Sequence, residues 1–434
     1  MTASGPAQLY ARRLLSMLDS PAEPLGEADR PALAWRRAGL MALTGRPDGP
    51  GLVCPSALAS AADGAMMALR ALAPDPARLP ASGAVLLGER ARLMGLGRLG
   101  RISANLSCRL LDTRDGRIAL NLARDDDWDL VPILLGCDAI DGWSDIERRI
   151  ARIPASRLME RGIELALPIA LEAFLEPDLS LAGAARLSGT ADRLGAPLVL
   201  DFASLWAGPL ASSLLAMLGA DVIKVESVHR PDGARMGHAG FYHLLNGGKR
   251  SVAIDFGDAE QLSQLLELVA RADIVIEGSR PHALRRLGID RDAFAARGGV
   301  WIAITGHGDP ARVGFGDDAA VAAGLSACME QHWGEALFAG DAIADPLTGL
   351  HAALAAWAAW RHGRSGIIPL SLAGTTAFAM QAGTASGAEL EDWQGMALSD
   401  TAPLYALREP VGQARAMGAD NAALLGTCLA SQFL

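Results

Sequence analysis

The chain has 434 residues, 50% hydrophobic and 20% charged, an ordinary globular composition long enough for two or three domains with a sizeable core. A net charge of −10 and a pI near 5.3 argue against a nucleic-acid-binding surface; the first twenty residues carry no long apolar stretch of the kind a leader is expected to have, and no apolar run is long enough to span a membrane. The five cysteines (Cys54, Cys108, Cys137, Cys328, Cys428) form no CxxC pair and the eight histidines show no metal-ligand spacing, so the expectation is a cytoplasmic protein with reduced thiols and no metal.

The first elements are an amphipathic helix around 9–18, a Pro/Gly-rich loop, a strong turn in RPDGPG, and a helix over 57–72. RISANLSCRLLDTRDGRIALNLA reads as a hairpin turning at Arg114, Asp115 and Gly116. Periodicity predicts helices over 144–152 and 155–174. Residues 80–189 thus form a small α+β domain, behind an N-terminal segment 1–79.

From 197 onward the pattern changes. Short buried strands, PLVLDF, DVIKVE, a stretch over 251–256, DIVIE and VWIAIT, alternate with helices over 208–218, 261–270 and 281–287. This spacing predicts βαβ units on a parallel sheet, so the fold class is α/β, a Rossmann-like domain over 190–434 beside the smaller α+β domain. Ligands bind such sheets at the carboxyl ends of the strands. That singles out the turns at 206–209, 278–286 and 305–308. Neither GxGxxG nor GxxxxGK[ST] is present, which weakens the dinucleotide and P-loop readings.

The stretch LFAGDAIADPLTGLHAALAAWAAW carries Asp341 and Asp345 ahead of a run of strong helix formers. Pro346 follows Asp345, which places Asp345 at an N-cap with its carboxylate ionised near the first-turn N–H groups. Asp341 is expected as a solvated loop residue. Residues 38–72 also align without a gap on 323–357: Gly39 falls on Gly324, Gly64 on Gly349, Ser60 on Asp345 and Met66 on His351. The match suggests an old duplication whose first copy lost the carboxylate.

LDFASLWAGPLASSLLAMLGADVIKVES, LNGGKRSVAIDF, IEGSRPHALRRLGID, AITGHGD and DPLTGLHAA occur in the order seen in family III CoA-transferases, the CaiB/BaiF family, which the chain resembles over 196–375. The tail MGADNAALL is similar too. The N-terminal half resembles the family's small domain, here placed first rather than last. The resemblance implies coenzyme A or an acyl-CoA as substrate, a carboxylic acid as partner substrate, no nucleic acid or membrane partner, and a homodimer. It makes Asp345 the catalytic nucleophile. It carries the CoA contacts onto Trp206, Ala207, Ile254, Asp255, Gly278, Ser279, Arg280, Arg286, Thr305, Gly306, His307 and Gly308, with Arg235, Lys249 and Arg250 as further basic candidates.

CoA transfer needs a carboxylate able to attack a thioester and donors for the oxyanion. Racemases of the same family instead use an acid/base pair and carry His in a GHD segment. The corresponding residues here are Gly316, Asp317 and Asp318, which favours transfer. Ser227 and Gly278 also depart from the family pattern, so a CoA-binding subunit without activity is the third reading.

Overall fold

A small antiparallel sheet and a larger parallel one organise the protein, a computed structural model that describes residues 5–176, 188–189, 193–279 and 282–425. The small sheet joins β1 (Cys108–Asp112), β2 (Arg117–Asn121) and β3 (Ile169–Leu171) in that order. Its hairpin turn is closed by the Thr113 amide on the Gly116 carbonyl at 2.8 Å. The helix expected over 155–174 ends at Glu164. The residues after it cross the hairpin as β3, because Ile169 and Ala170 are needed to cover β2.

The large sheet has seven strands: β4 (Ser188–Gly189), β5 (Leu198–Asp201), β6 (Asp221–Ser227), β7 (Arg250–Ile254), β8 (Ile274–Glu277), β9 (Val300–Thr305) and β10 (Arg364–Ser371). Six are parallel, and β4 adds an antiparallel edge against β10. The spatial order β10-β9-β8-β5-β6-β7 is doubly wound. From β5 the chain moves outward through β6 and β7, then returns to the other side for β8, β9 and β10. The switch in direction lies between β5 and β8, the place where open sheets of this kind bind their ligands. Strand β10 was not foreseen, since RSGIIPLS carries a Pro and polar residues; it pairs near the edge, where such residues are tolerated.

The outer edge of β7 is covered by the C-terminal tail. Asp420 accepts the Ser251 amide at 2.8 Å, and Asn421 brackets Ala253, accepting its amide at 2.9 Å and donating to its carbonyl at 2.7 Å. The MGADN sequence thus satisfies backbone groups that would otherwise template pairing with another chain.

One core runs through both halves of the sequence. It unites the helices Pro6–Met17, Leu58–Leu72, Val85–Met94, Ala207–Met217 and Ala344–Arg361, while the hairpin unit keeps its own core around Leu111, Ile118, Ile146 and Ile169. The helix Ala344–Arg361 is buried on nearly every face, as expected for a helix apolar all round. Small residues make this possible. A Cβ on Gly349 would meet the Ala207 carbonyl at 2.6 Å, and one on Gly64 would meet the Ala7 carbonyl at 2.5 Å. The aligned pair Gly39 and Gly324 share a left-handed φ, +89° and +96°, each opening a helix. Trp357 donates to the Leu72 carbonyl at 2.9 Å and ties the two Ala-rich helices together.

Beneath the carboxyl ends of β5 and β6 lies a buried ionic network. Lys249 reaches Asp201 at 3.0 Å, the Pro209 carbonyl at 2.9 Å and Asn246 Oδ1 at 3.0 Å. Lys224 pairs with Asp232 at 2.7 Å and bonds the Ala203 carbonyl at 3.0 Å. Lys249 is 1% exposed, so it is no solvated surface cation, and its three partners leave it for the loop rather than for a ligand. Burial lowers its pKa to about 8, against the pull of Asp201. Arg235 and Arg250 are likewise paired, with Glu226 and Asp221. Removing one member of a buried pair strands the other charge. Lys249→Met should therefore lower stability by about 3–5 kcal/mol in denaturant unfolding, and adding Asp201→Leu should recover much of the loss. An unchanged midpoint in the single variant would contradict this role.

Candidate active site

The turn before the helix Ala344–Arg361 is unusually constrained. Gly340 and the non-glycine Ala342 both have positive φ, +81° and +41°, a conformation that costs energy for Ala. Hydrogen bonds hold it: the Gly340 amide donates to Thr44 Oγ1 at 3.2 Å and the Ala342 amide to Asp317 Oδ1 at 2.9 Å. Asp341 is not solvated, as expected from its loop sequence, but fully buried. Both its oxygens accept from Arg90, Oδ2 from Nε at 2.7 Å and Oδ1 from Nη2. The Arg90 guanidinium lies 4.5 Å over the Trp206 ring, which in turn packs edge-on against Phe241 with centroids 5.2 Å apart.

Asp345 stands inside the first turn rather than at the cap. The cap is Ile343, and the Asp345 amide donates to the Ala342 carbonyl at 2.9 Å. Its carboxylate lies against Gly316, where a Cβ would come within 2.2 Å of Oδ2. Gly316 is the first residue of the helix Gly316–Ala322, whose next residues, Asp317 and Asp318, are buried acids. The hairpin unit supplies their donors: Asn105 Nδ2 to Asp317 Oδ2 and Asn121 Nδ2 to Asp318 Oδ1, each at 3.0 Å. Asp318 also accepts the Phe315 amide at 2.9 Å and faces His307 Nε2 at 3.3 Å.

Three carboxylates, Asp341, Asp317 and Asp345, thus crowd around one guanidinium, with Asp318 next to them. Asp317, Asp318 and Asp341 are buried, whereas Asp345 keeps part of its surface open. Burial is the largest influence on Asp345. With Asp317, Asp318 and Asp341 adding to it and Arg90 opposing, it pushes the carboxyl up to about 7. This corrects the expectation of a plainly ionised cap, because the cost of desolvation outweighs the first-turn dipole. Asp317 is likewise pushed up to about 7, by burial and by Asp341.

The positions expected to contact CoA lie along the carboxyl edge of the sheet. Trp206 and Ala207 follow β5 and are buried. Their loop includes Leu205 at φ +70°, fixed by its amide on Asp232 Oδ1 at 2.9 Å. Thr305 ends β9, and its hydroxyl donates to the His307 carbonyl at 2.6 Å. Gly306 packs so tightly on Gly314 that a Cβ would meet its Cα at 2.6 Å. Gly306 and His307 therefore border the acid cluster, and Gly308 is open to solvent. Gly278 and Ser279 follow β8, with the Ser279 hydroxyl donating to Glu277 at 2.8 Å. Arg286, on a short exposed helix, has no ion pair among the described residues. Ile254 is buried at the end of β7, and the following Asp255 accepts the Gly257 amide at 2.9 Å. Arg280 lies outside the described residues. Sequence reading missed Arg90, Asn105 and Asn121. They sit far from the acids along the chain, and only tertiary packing brings them together.

A carboxyl with a raised folded pKa favours the fold while protonated, and the benefit is lost as pH rises. For Asp317 the loss spans the window from 3.8 to about 7. Asp317→Asn cannot ionise. Its stability relative to wild type should improve by about 4 kcal/mol between pH 4 and pH 8, measured by denaturant unfolding at both pH values. A pH-independent difference would contradict the raised pKa.

Residues 197–404 match the family described as CoA-transferase family III. Succinate–glutarate CoA-transferase of Agrobacterium fabrum is 33% identical over 189 residues, covering 39% of this chain and 47% of that protein. Formyl-CoA:oxalate CoA-transferase of Streptomyces coelicolor is 30% identical over 177 residues, covering 37% and 42%. The chain spans less than half the length of these relatives. Among solved structures, a hypothetical protein of Mycobacterium tuberculosis aligns with a TM-score of 0.39 at 30% identity, covering 44% of this chain and 58% of that one. Five ordered motifs, the Asp-x-x-Thr-Gly segment at Asp345 and these relatives point the same way: residues 197–404 are similar to CoA-transferase family III.

Proposed function

We propose that the protein moves CoA between an acyl-CoA and a carboxylic acid through a thioester on Asp345. The observation that carries this reading is that Asp345 alone in the acid cluster retains exposed surface. It sits on a helix buried on nearly every face, with a pKa of about 7. Half of it is then ionised near neutral pH, and the ionised form is a competent nucleophile toward a carbonyl held close.

The Asp345 carboxylate attacks the thioester carbonyl, the C–S bond breaks, and CoA leaves as thiolate with a mixed anhydride behind it. The thiolate attacks the aspartyl carbonyl, and the donor acid leaves as carboxylate. The acceptor carboxylate then repeats the sequence in reverse. Arg90 stabilises negative charge across the cluster and, through Trp206, joins the loop after β5 to the reacting carboxylate. Asn105 and Asn121 hold Asp317 and Asp318 away from it. CoA lies across the carboxyl ends of β5, β8 and β9, with Arg286 free to meet its phosphates. Trp206, Ala207, Ile254, Asp255, Gly278, Ser279 and Thr305–Gly308 complete this edge.

A second reading is proton exchange at the acyl α-carbon, favoured by the equally raised Asp317. Against it, both Asp317 oxygens already accept hydrogen bonds and the group is only 4% exposed.

With a panel of acyl-CoAs and acids, wild type should exchange CoA and leave the α-proton unlabelled in deuterium oxide, and Asp345→Ala should lose exchange by at least about a thousandfold. The rate should rise with pH through about 7 as the nucleophile ionises. Full activity in Asp345→Ala would sink the assignment. Arg286→Ala should weaken acyl-CoA binding about tenfold, or roughly 1.4 kcal/mol, without changing Asp345 chemistry at saturation; an unchanged Kd would remove Arg286 from the site.

A further inference from the structure

A cleft of about 440 Å³ opens elsewhere, between the loop at Glu27 and Asp29, the helix Leu58–Leu72, the turn at Pro80 and Ser82, and the C-terminal segment at Tyr405 and Arg408. This volume suits a small organic ligand. The cleft is built on the Ala-rich helix that aligns with the Asp345 helix, but its acid is Asp63, one turn beyond Ser60. Asp63 is 2% exposed. Its Oδ1 accepts from Ser82 Oγ at 2.6 Å and from the Ala84 amide at 3.0 Å, while its Oδ2 is buried without any partner. A second orphan stands in the same wall. Arg408, 9% exposed, donates Nε at 2.8 Å and Nη2 to Glu89, and its Nη1 is buried with no acceptor.

Buried polar atoms left unpaired cost about 1–3 kcal/mol each, so two in one cleft ask for a ligand that answers both. The other charges nearby are mostly spoken for: Asp29 pairs with Arg37 at 2.7 Å and accepts from Tyr405 at 2.6 Å, and Glu89 holds Arg408. Glu27 is exposed at the rim. Burial raises the Asp63 carboxyl to about 6, against the Ser82 and Ala84 bonds, so it still carries charge at neutral pH. An anionic acceptor and a guanidinium donor in the walls of one cleft, with Val85, Pro80 and Leu407 as apolar wall, complement an ammonium group, an acid oxygen and a short aliphatic chain. We propose that this cleft binds a small amino acid, its ammonium on Asp63 Oδ2 and its carboxylate on Arg408 Nη1, at a site separate from Asp345.

The test uses the full chain and isothermal titration with glycine, alanine, valine and leucine. For whichever binds best, the matching amine without the carboxylate and the matching acid without the amine are titrated too. The proposal expects saturable binding of an amino acid, at least tenfold weaker binding of each matched analogue, and at least a tenfold loss in Asp63→Asn. It also expects loss in Ala81→Phe, which fills the cleft, and unchanged affinity in Asp345→Ala. Loss of exchange activity alone leaves this binding intact, so the two readings fail separately. No saturable binding across the panel, binding that survives both Asp63→Asn and Ala81→Phe, or binding displaced by acyl-CoA would each overturn it.

Discussion

The ion pair between Arg90 and Asp341 is the contact on which the candidate site depends. It brings a cation from the N-terminal half to a carboxylate in the turn that launches the Asp345 helix. A buried acid without it would be left unpaired at a cost of several kcal/mol. The same guanidinium covers Trp206 and so reaches the loop after β5. One side chain therefore links the parallel sheet, the acid-bearing turn and the N-terminal helices, and it is the counter-charge that keeps Asp345 from being pushed higher still. Arg90→Met would strand Asp341 and remove that restraint together.

The scaffold around this pair is held by polar atoms in positions that packing alone could not fix. Lys249 and Lys224 clamp the loop between β5 and the helix Ala207–Met217 through the Pro209 and Ala203 carbonyls. Gly316 lets the Asp345 carboxylate come close, and Gly306 and Gly314 let the loop after β9 lie against the acid helix. Each approach would be blocked by a single Cβ. The site is thus placed by glycines and buried charges on a frame of apolar helices, a division of labour that holds its side chains in fixed positions.

Much of the frame was legible in the chain. Continuous β-branched runs such as VIKVE and IVIE marked the buried parallel strands, because such strands are covered on both faces. The Asp-x-x-Thr-Gly segment marked Asp345. What failed did so for stated reasons. Residues 165–174 keep a helical period, yet pairing with β2 makes 169–171 a strand. Lys249 looks like a cation open to a phosphate and Asp341 looks solvated because isolated charges usually are exposed, and only their partners, 48 and 251 residues away in the chain, explain their burial. Asp345 looked ionised because a cap implies it; a cluster of acids reversed that, and no local pattern encodes the cluster. Arg90, Asn105 and Asn121 had no signal, being single residues in ordinary helical and hairpin contexts.

The central claim is that Asp345 carries the transferred group. Wild type incubated with an acyl-CoA, quenched in acid, digested and examined by mass spectrometry tests it most directly. The account predicts a CoA adduct confined to the peptide containing Asp345, lost on hydroxylamine treatment and absent in Asp345→Ala. Exchange activity with no such adduct, or an adduct on the peptide of Asp317 instead, would contradict it.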